Sequence, residues 1–182
     1  MKFRRFTTVP GAYVIEPEPI KDLRGFFART FCRDEFRVHG LIDQFVQCSI
    51  SFSDRRGTLR GMHFQRAPSL EGKLIRCTQG AAIDVVLDLR PDSPAYCRWE
   101  AVEISAENRL AVYMPPGIAH GVQTLADGTE LLYQMADLYA PQLAGGVRWN
   151  DPAFRITWPI LPPILSEKDA SYPDFAPEAP RR

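Results

Sequence analysis

Four side chains able to move a proton or steady a charge interrupt apolar stretches of this sequence. His63 stands in Leu59-Arg60-Gly61-Met62-His63-Phe64, Lys73 heads Lys73-Leu74-Ile75, His120 follows Pro115-Pro116-Gly117-Ile118-Ala119, and Tyr133 sits in Leu131-Leu132-Tyr133-Gln134-Met135. An imidazole titrates near neutral pH and suits a general base. An ammonium offers counter-charge to an oxyanion. A phenol in apolar surroundings stays protonated, ready to donate. Singly, each residue has a plainer reading. A lone strand histidine is more often a hydrogen-bonded packing residue, Lys73 a solvated strand end, and Tyr133 core filler with a wet hydroxyl. Acid–base chemistry requires a fold that brings all of them to one cavity.

The elements that would do so are short strands. In Ala82-Ile83-Asp84-Val85-Val86-Leu87-Asp88-Leu89 the residues Ile83, Val85, Leu87 and Leu89 fall on one face, Asp84 and Asp88 on the other. Comparable runs are expected at Tyr13–Glu16, Gly25–Thr30, Gln44–Ser53, Thr58–Phe64, Lys73–Thr78, Trp99–Ile104, Leu110–Met114, Gly121–Leu125 and Glu130–Met135. Turn signals such as Asp54-Arg55-Arg56-Gly57, Gln79-Gly80 and Asp127-Gly128 separate them. Many short strands at close spacing predict an all-β, antiparallel jelly roll. Only Arg33–His39 reads as a helix. Seven of the 16 prolines fall from Pro152 onward, so that segment cannot supply central strands. It is expected to wrap the barrel and to end in a loose tail over about residues 172–182. With 182 residues and no linker or repeat, the whole chain, 1–182, reads as one domain.

Composition narrows the partners. Lys+Arg 22 against Asp+Glu 22 leave no net charge, which excludes a nucleic-acid or anionic-membrane binder held by bulk charge. No apolar run reaches the ~18–20 residues of a membrane span, and no apolar stretch follows the basic start as in a signal peptide. Cys32, Cys48, Cys77 and Cys97 form no C-x-x-C pair, so a cytoplasmic protein with reduced thiols is expected. Pro115-x-Gly117-x-x-His120 resembles the second half of the cupin metal signature. The first half, H-x-H followed by Glu, has only His63-Phe64-Gln65 to offer, and the third histidine, His39, lies elsewhere. Two imidazoles with no nearby carboxylate hold a first-row metal poorly. Neither a metal nor a cofactor is expected.

Taken together, Asp22-Leu23-Arg24-Gly25-Phe26-Phe27, Leu59-Arg60-Gly61-Met62-His63-Phe64-Gln65, Gly72-Lys73, Asp84 to Arg90, Ser93-Pro94, Pro116-Gly117-Ile118-Ala119-His120-Gly121, Trp149-Asn150-Asp151-Pro152 and Leu165-Ser166-Glu167-Lys168-Asp169 resemble the dTDP-4-dehydrorhamnose 3,5-epimerase family over nearly the whole chain. The resemblance implies a metal-free, cupin-like jelly-roll homodimer with shared active sites, acting on a nucleotide-linked 4-keto-6-deoxyhexose in deoxysugar biosynthesis. It implies His63 as base, oriented by Asp169, with Lys73 facing the C4 oxyanion and Tyr133 as proton donor. It further implies substrate contacts from Gln47, Arg60, His120 and Lys168, Asp84 behind His120, and Arg24 with Phe27 delivered to the nucleotide from a partner subunit.

Arg29, Ser49 and Ala144 depart from the family pattern, which usually shows Glu, Asn and Glu there. The exchanges add about three units of positive charge if both charged positions face the ligand, which predicts altered ligand preference. Readings kept open are an epimerase of one centre only or of a different nucleotide sugar and, more distantly, a metal-dependent cupin or a non-catalytic sugar-binding jelly roll. The last has no need of a buried Lys, His and Tyr set, which costs desolvation energy to hold.

Overall fold

The computed structural model describes residues 1–177. Its elements are β1 (Lys2–Arg5), β2 (Tyr13–Glu16), β3 (Ile20–Asp22), β4 (Gly25–Phe27), α1 (Arg33–Val38), β5 (Gln47–Ser53), β6 (Leu59–Gln65), β7 (Lys73–Gln79), β8 (Ala81–Asp88), β9 (Trp99–Ser105), β10 (Ala111–Met114), β11 (Ile118–Thr124), β12 (Thr129–Met135), β13 (Ala144–Gly146) and α2 (Glu167–Ala170). Six strands form one sheet in the order β1-β2-β10-β7-β12-β5, and five form the other as β13-β6-β11-β8-β9. Every pairing within them is antiparallel. The two sheets face each other as the expected jelly roll.

Alternation assigns the layers. On β7, Ile75 and Cys77 point between the sheets while Leu74 points out; on β8, Ala82 and Val86 point in while Val85 and Leu87 point out. The inward set, with Val112, Ile118, Val122 and Leu131, makes the central core. Both sheets are also covered on their outer faces. Outside the six-stranded sheet lies Phe36 of α1, ringed by Phe3, Phe31, Phe45 and Tyr113. A six-residue helix is too short to stand alone, and full burial of Phe36, worth roughly 1.5–3 kcal/mol, holds it down.

The proline-rich segment covers the five-stranded sheet, packing Phe154 and Trp158 on Leu59, Met62, Val85 and Leu87. Backbone hydrogen bonds pin it at Gly57–Ile164 and Leu59–Ile164. Double coverage explains why Asp84 and Asp88, on the face opposite Val85 and Leu87, are buried and not solvated. Of the expected tail over 172–182, residues 172–177 carry no regular structure, yet Phe175 packs on Phe154 and its N–H bonds to Asp151 at 2.6 Å. Residues 178–182 lie outside the described residues.

Several boundaries differ from expectation. β4 ends at Phe27 and not Thr30, and β5 begins at Gln47 and not Gln44. β11 begins at Ile118 and not Gly121, which carries His120 into the strand. β13, written Ala144-Gly145-Gly146, has no strand propensity of its own and exists by pairing with β6, Gly146 opposite His63.

β6 carries the irregularity that matters most. Against β11, His63 pairs with His120 and Arg60 with Val122, so two residues of β6 oppose Gly121 alone. This β-bulge lets Arg60 and His63, three positions apart, share the inward face while Leu59 and Met62 face the outer layer. Gly61 makes it possible. Its φ is +139°, and a Cβ there would run into Gly121 Cα.

Candidate active site

A cavity of about 810 Å³ opens between the sheets, a size suited to a ligand larger than a free sugar. The five-stranded sheet contributes Arg60, His63, Phe64 and Gln65 from β6, His120 from β11 and Ala144 from β13. The six-stranded sheet contributes Gln47 and Ser49 from β5, Lys73 from β7 and Tyr133 from β12. Lys168 and Asp169 of α2 complete the lining. The same alternation that buries Ile75 and Cys77 turns Lys73 inward, and Leu131 does so for Tyr133.

His63 Nε2 lies 2.6 Å from Asp169 Oδ1. The other carboxylate oxygen accepts the Gly61 N–H at 3.4 Å, so the bulge also serves the dyad. α2 is set by its N-cap, where Ser166 Oγ accepts the Asp169 N–H at 3.1 Å. Burial pushes the Asp169 carboxyl up, but hydrogen bonds and charge from His63, with the Gly61 and Ser166 bonds, leave it below the usual carboxylate range. Burial pushes the Tyr133 phenol well above its ordinary value, with the Asp84 charge acting in the same direction. It is therefore protonated at neutral pH, fit to give a proton and unfit to take one.

His120 and Asp84 form a second, different pair. Nδ1 of His120 stands 3.5 Å from Asp84 Oδ1, and neither that nitrogen nor either carboxylate oxygen makes a hydrogen bond among the described residues. Burial pushes the carboxyl up and the imidazole down, each toward its uncharged form. Asp88, on the same face, is instead fully paired, accepting from Arg90 at 2.6 Å and Ser93 at 2.6 Å. At the mouth, Arg60 is steadied across the gap between sheets by Ser53 Oγ and the Phe52 carbonyl at 3.2 and 2.9 Å. Gln47 Oε1 holds the Tyr139 N–H at 3.0 Å.

Thus His63, Lys73, Tyr133, Asp169, Gln47, Arg60, His120 and Lys168 line one cavity, with Asp84 behind His120. Arg24 and Phe27 are absent from its lining. They stand on the β3–β4 hairpin, which pairs only with itself. Ser49 and Ala144 line the cavity, whereas Arg29 is ion-paired to Glu35 at 3.0 Å. Sequence reasoning passed over Glu71 and Tyr139, both of which line it. An acid two residues before a strand-heading lysine was the available signal for Glu71. Among the described residues no group of three or more His, Cys, Asp or Glu is placed to hold a metal ion, and no helix is long and apolar enough to cross a membrane.

A histidine on one sheet, paired with a carboxylate from α2 and facing an ammonium and a protonated phenol on the other sheet, defines a jelly-roll enzyme built for acid–base chemistry. The family model for dTDP-4-dehydrorhamnose 3,5-epimerase matches residues 6–177. The dTDP-4-dehydrorhamnose 3,5-epimerase of Salmonella typhimurium is 40% identical over 169 residues, 92% of each chain. The crystal structure of the Elizabethkingia anophelis enzyme of that name superposes with a TM-score of 0.92 at 36% identity, covering 96% of both chains. A 3'-monoepimerase from Streptomyces bikiniensis, in complex with dTDP-quinovose, superposes at 0.86 with 34% identity, over 94% of this chain and 86% of that one. The chain belongs to the dTDP-4-dehydrorhamnose 3,5-epimerase family.

Proposed function

We propose that this protein epimerises dTDP-4-dehydro-6-deoxyglucose at C3, C5 or both, in deoxysugar biosynthesis. The observation that carries this reading is the placement of base and acid on opposite sheets across one cavity: His63 on β6, Tyr133 on β12. Inversion requires removing a proton from one face of a carbon and returning one to the other. With Nε2–H donating to Asp169, the lone pair of His63 resides on Nδ1, which takes the hydrogen alpha to the C4 ketone. The electron pair moves onto the C4 oxygen, where Lys73 supplies counter-charge. Tyr133 then protonates the opposite face. His63 returns its proton to solvent and Tyr133 regains one, so no net proton is consumed and no metal is required.

The β3–β4 hairpin supports a shared site. Leu23 is fully exposed and Phe27 is 75% exposed, an apolar surface on an isolated two-stranded element that is marginal by itself. A homodimer that covers it brings Arg24 and Phe27 to the partner's nucleotide. The cysteines are all unpaired, in keeping with a reaction in the cytoplasm. A second reading, epimerisation of a single centre, is favoured by the likeness to the 3'-monoepimerase.

Proton NMR in deuterium oxide with dTDP-4-dehydro-6-deoxyglucose tests the proposal. Loss of the C3 or C5 proton signals with inverted product supports it and counts the centres; exchange at neither carbon refutes it. Activity is expected to survive EDTA, and the active species to elute at twice the chain mass. A fully active monomer would remove the shared-site part.

A further inference from the structure

Lys73 does not stand alone in the cavity. Its ammonium contacts Glu71 Oε2, and the two side chains are only 11% and 7% exposed. Besides Asp169, Glu71 is the one carboxylate among the described lining residues. Asp169 serves His63; Glu71 touches the lysine.

The loop before β7 fixes the backbone that carries this carboxylate. Ser69 Oγ accepts the Glu71 N–H at 3.2 Å and donates to Asp137 Oδ2 at 2.8 Å, while the same Asp137 oxygen accepts the Leu70 N–H at 3.1 Å. Gln65 Nε2 donates to Ser69 Oγ at 3.3 Å. Gly72 lets the loop press against the six-stranded sheet: a Cβ there would meet Ile42 Cδ1 at 2.7 Å and Met114 O at 3.3 Å.

We infer that Glu71 is a positioning residue for the epimerisation, acting through Lys73. The inference rests on the proposed function. A lysine carries three N–H donors on a flexible four-carbon stem. One donor committed to Glu71 restrains the stem and leaves two for the C4 oxygen as the enolate charge grows. A donor already aimed at the developing charge needs no reorganisation when the proton leaves. Glu71 transfers no proton and touches no reacting atom; its part is that of an acceptor in a fixed place.

The experiment compares kcat and KM of the parent, Glu71→Ala and Glu71→Gln with dTDP-4-dehydro-6-deoxyglucose. Glu71→Ala is expected to lower kcat by about 10- to 100-fold, the scale of cost when a reacting group is misplaced, with KM within about threefold. Glu71→Gln keeps an acceptor oxygen and is expected to hold kcat within about threefold of the parent. In a Lys73→Ala background, Glu71→Ala should add no further loss of residual C–H exchange, because its partner is already gone. Melting temperatures control for folding, and Glu71→Ser replaces Glu71→Ala if the alanine variant does not fold. Unchanged kcat in Glu71→Ala, a raised KM at parent kcat, a Gln variant as slow as the Ala one, or a full additive loss without Lys73 would each overturn the inference. A parent inert toward this substrate refutes the epimerase reading itself, whereas an active parent with an indifferent Glu71 refutes only this inference.

Discussion

The cavity and the β3–β4 hairpin carry the same kinds of residue under opposite conditions. Inside, Lys73, His120 and Asp169 are buried, and each has a charged or ionisable neighbour within a few ångströms. On the hairpin, the Arg24 side chain is 90% exposed and, among the described residues, held only by Asp22, two residues away, at 2.5 Å. The first set is placed by the two sheets and the elements packed on them. The second is presented by a short ribbon that, among the described residues, pairs with no other strand and is touched by Arg109, 4.6 Å over the Phe26 ring. On the proposed reading, proton transfer and nucleotide capture fall to separate parts of the molecule, so damage to one need not reach the other.

The sharpest break should come inside. His63→Ala is expected to abolish both isotope exchange and inversion, lowering the rate by about 10²–10⁴, as loss of a general base does. Tyr133→Phe should separate the two readouts: deuterium still enters from the His63 side, while the product inverted at C5 fails to accumulate. Parent-rate inversion by that variant would assign the acid to another group.

On the hairpin, Arg24→Ala should raise KM by roughly tenfold or more, the worth of one charge-assisted hydrogen bond, and leave kcat near the parent value. A fall in kcat alone would join the two regions that the comparison separates. Smaller effects should follow from the departures in charge. Ala144→Glu, which alters the cavity lining, should shift the preference among dTDP, UDP and CDP sugars by a few-fold. Arg29→Glu should do so only where a partner chain brings that segment to the site, which steady-state ratios can decide.

The smallest effect concerns stability. Burial raises the Asp84 carboxyl above its unfolded value near 3.9, so the folded state binds that proton more tightly than the unfolded one. Stability contributed this way is present below the unfolded value and lost as pH rises through the folded one. Asp84→Asn should therefore raise Tm by a few degrees at pH 7, a gain that shrinks toward pH ~4. An equal gain at both pH values would remove the electrostatic explanation.

Much of this was readable beforehand, for reasons specific to each element. The Ala82–Leu89 alternation is real because a strand presents its two faces in turn, and β8 runs Ala81–Asp88. Its second face could not be known as buried without the central core, which assembles from residues far apart in sequence. His63, Lys73, His120 and Tyr133 were legible because such residues are out of place among large apolar neighbours, whereas Asp169, in Ser166-Glu167-Lys168-Asp169-Ala170, was reached only through the family resemblance. Glu71 was not, since an acid in a loop reads as solvated until the loop is folded against Asp137. β13 was invisible because pairing with β6, and not its own composition, makes Ala144-Gly145-Gly146 a strand. The four-residue α2 was hidden by its length, although Ser166-x-x-Asp169 carries a capping signal.

The extra residue at the β6 bulge turns the active site into a question of parity. In an unbroken strand, residues separated by an odd number of positions look in opposite directions, so Arg60 and His63 could never share a room. One surplus residue on β6 reverses that rule for everything beyond it. Flattening the bulge with Gly61 retained would thus change no chemical group of the proposed catalytic set, yet it would exchange inside for outside along one end of the strand, whereas deleting Gly61 would leave Arg60 and His63 an even two positions apart on one face. A graft of this site onto another barrel must carry the miscount along with the histidine.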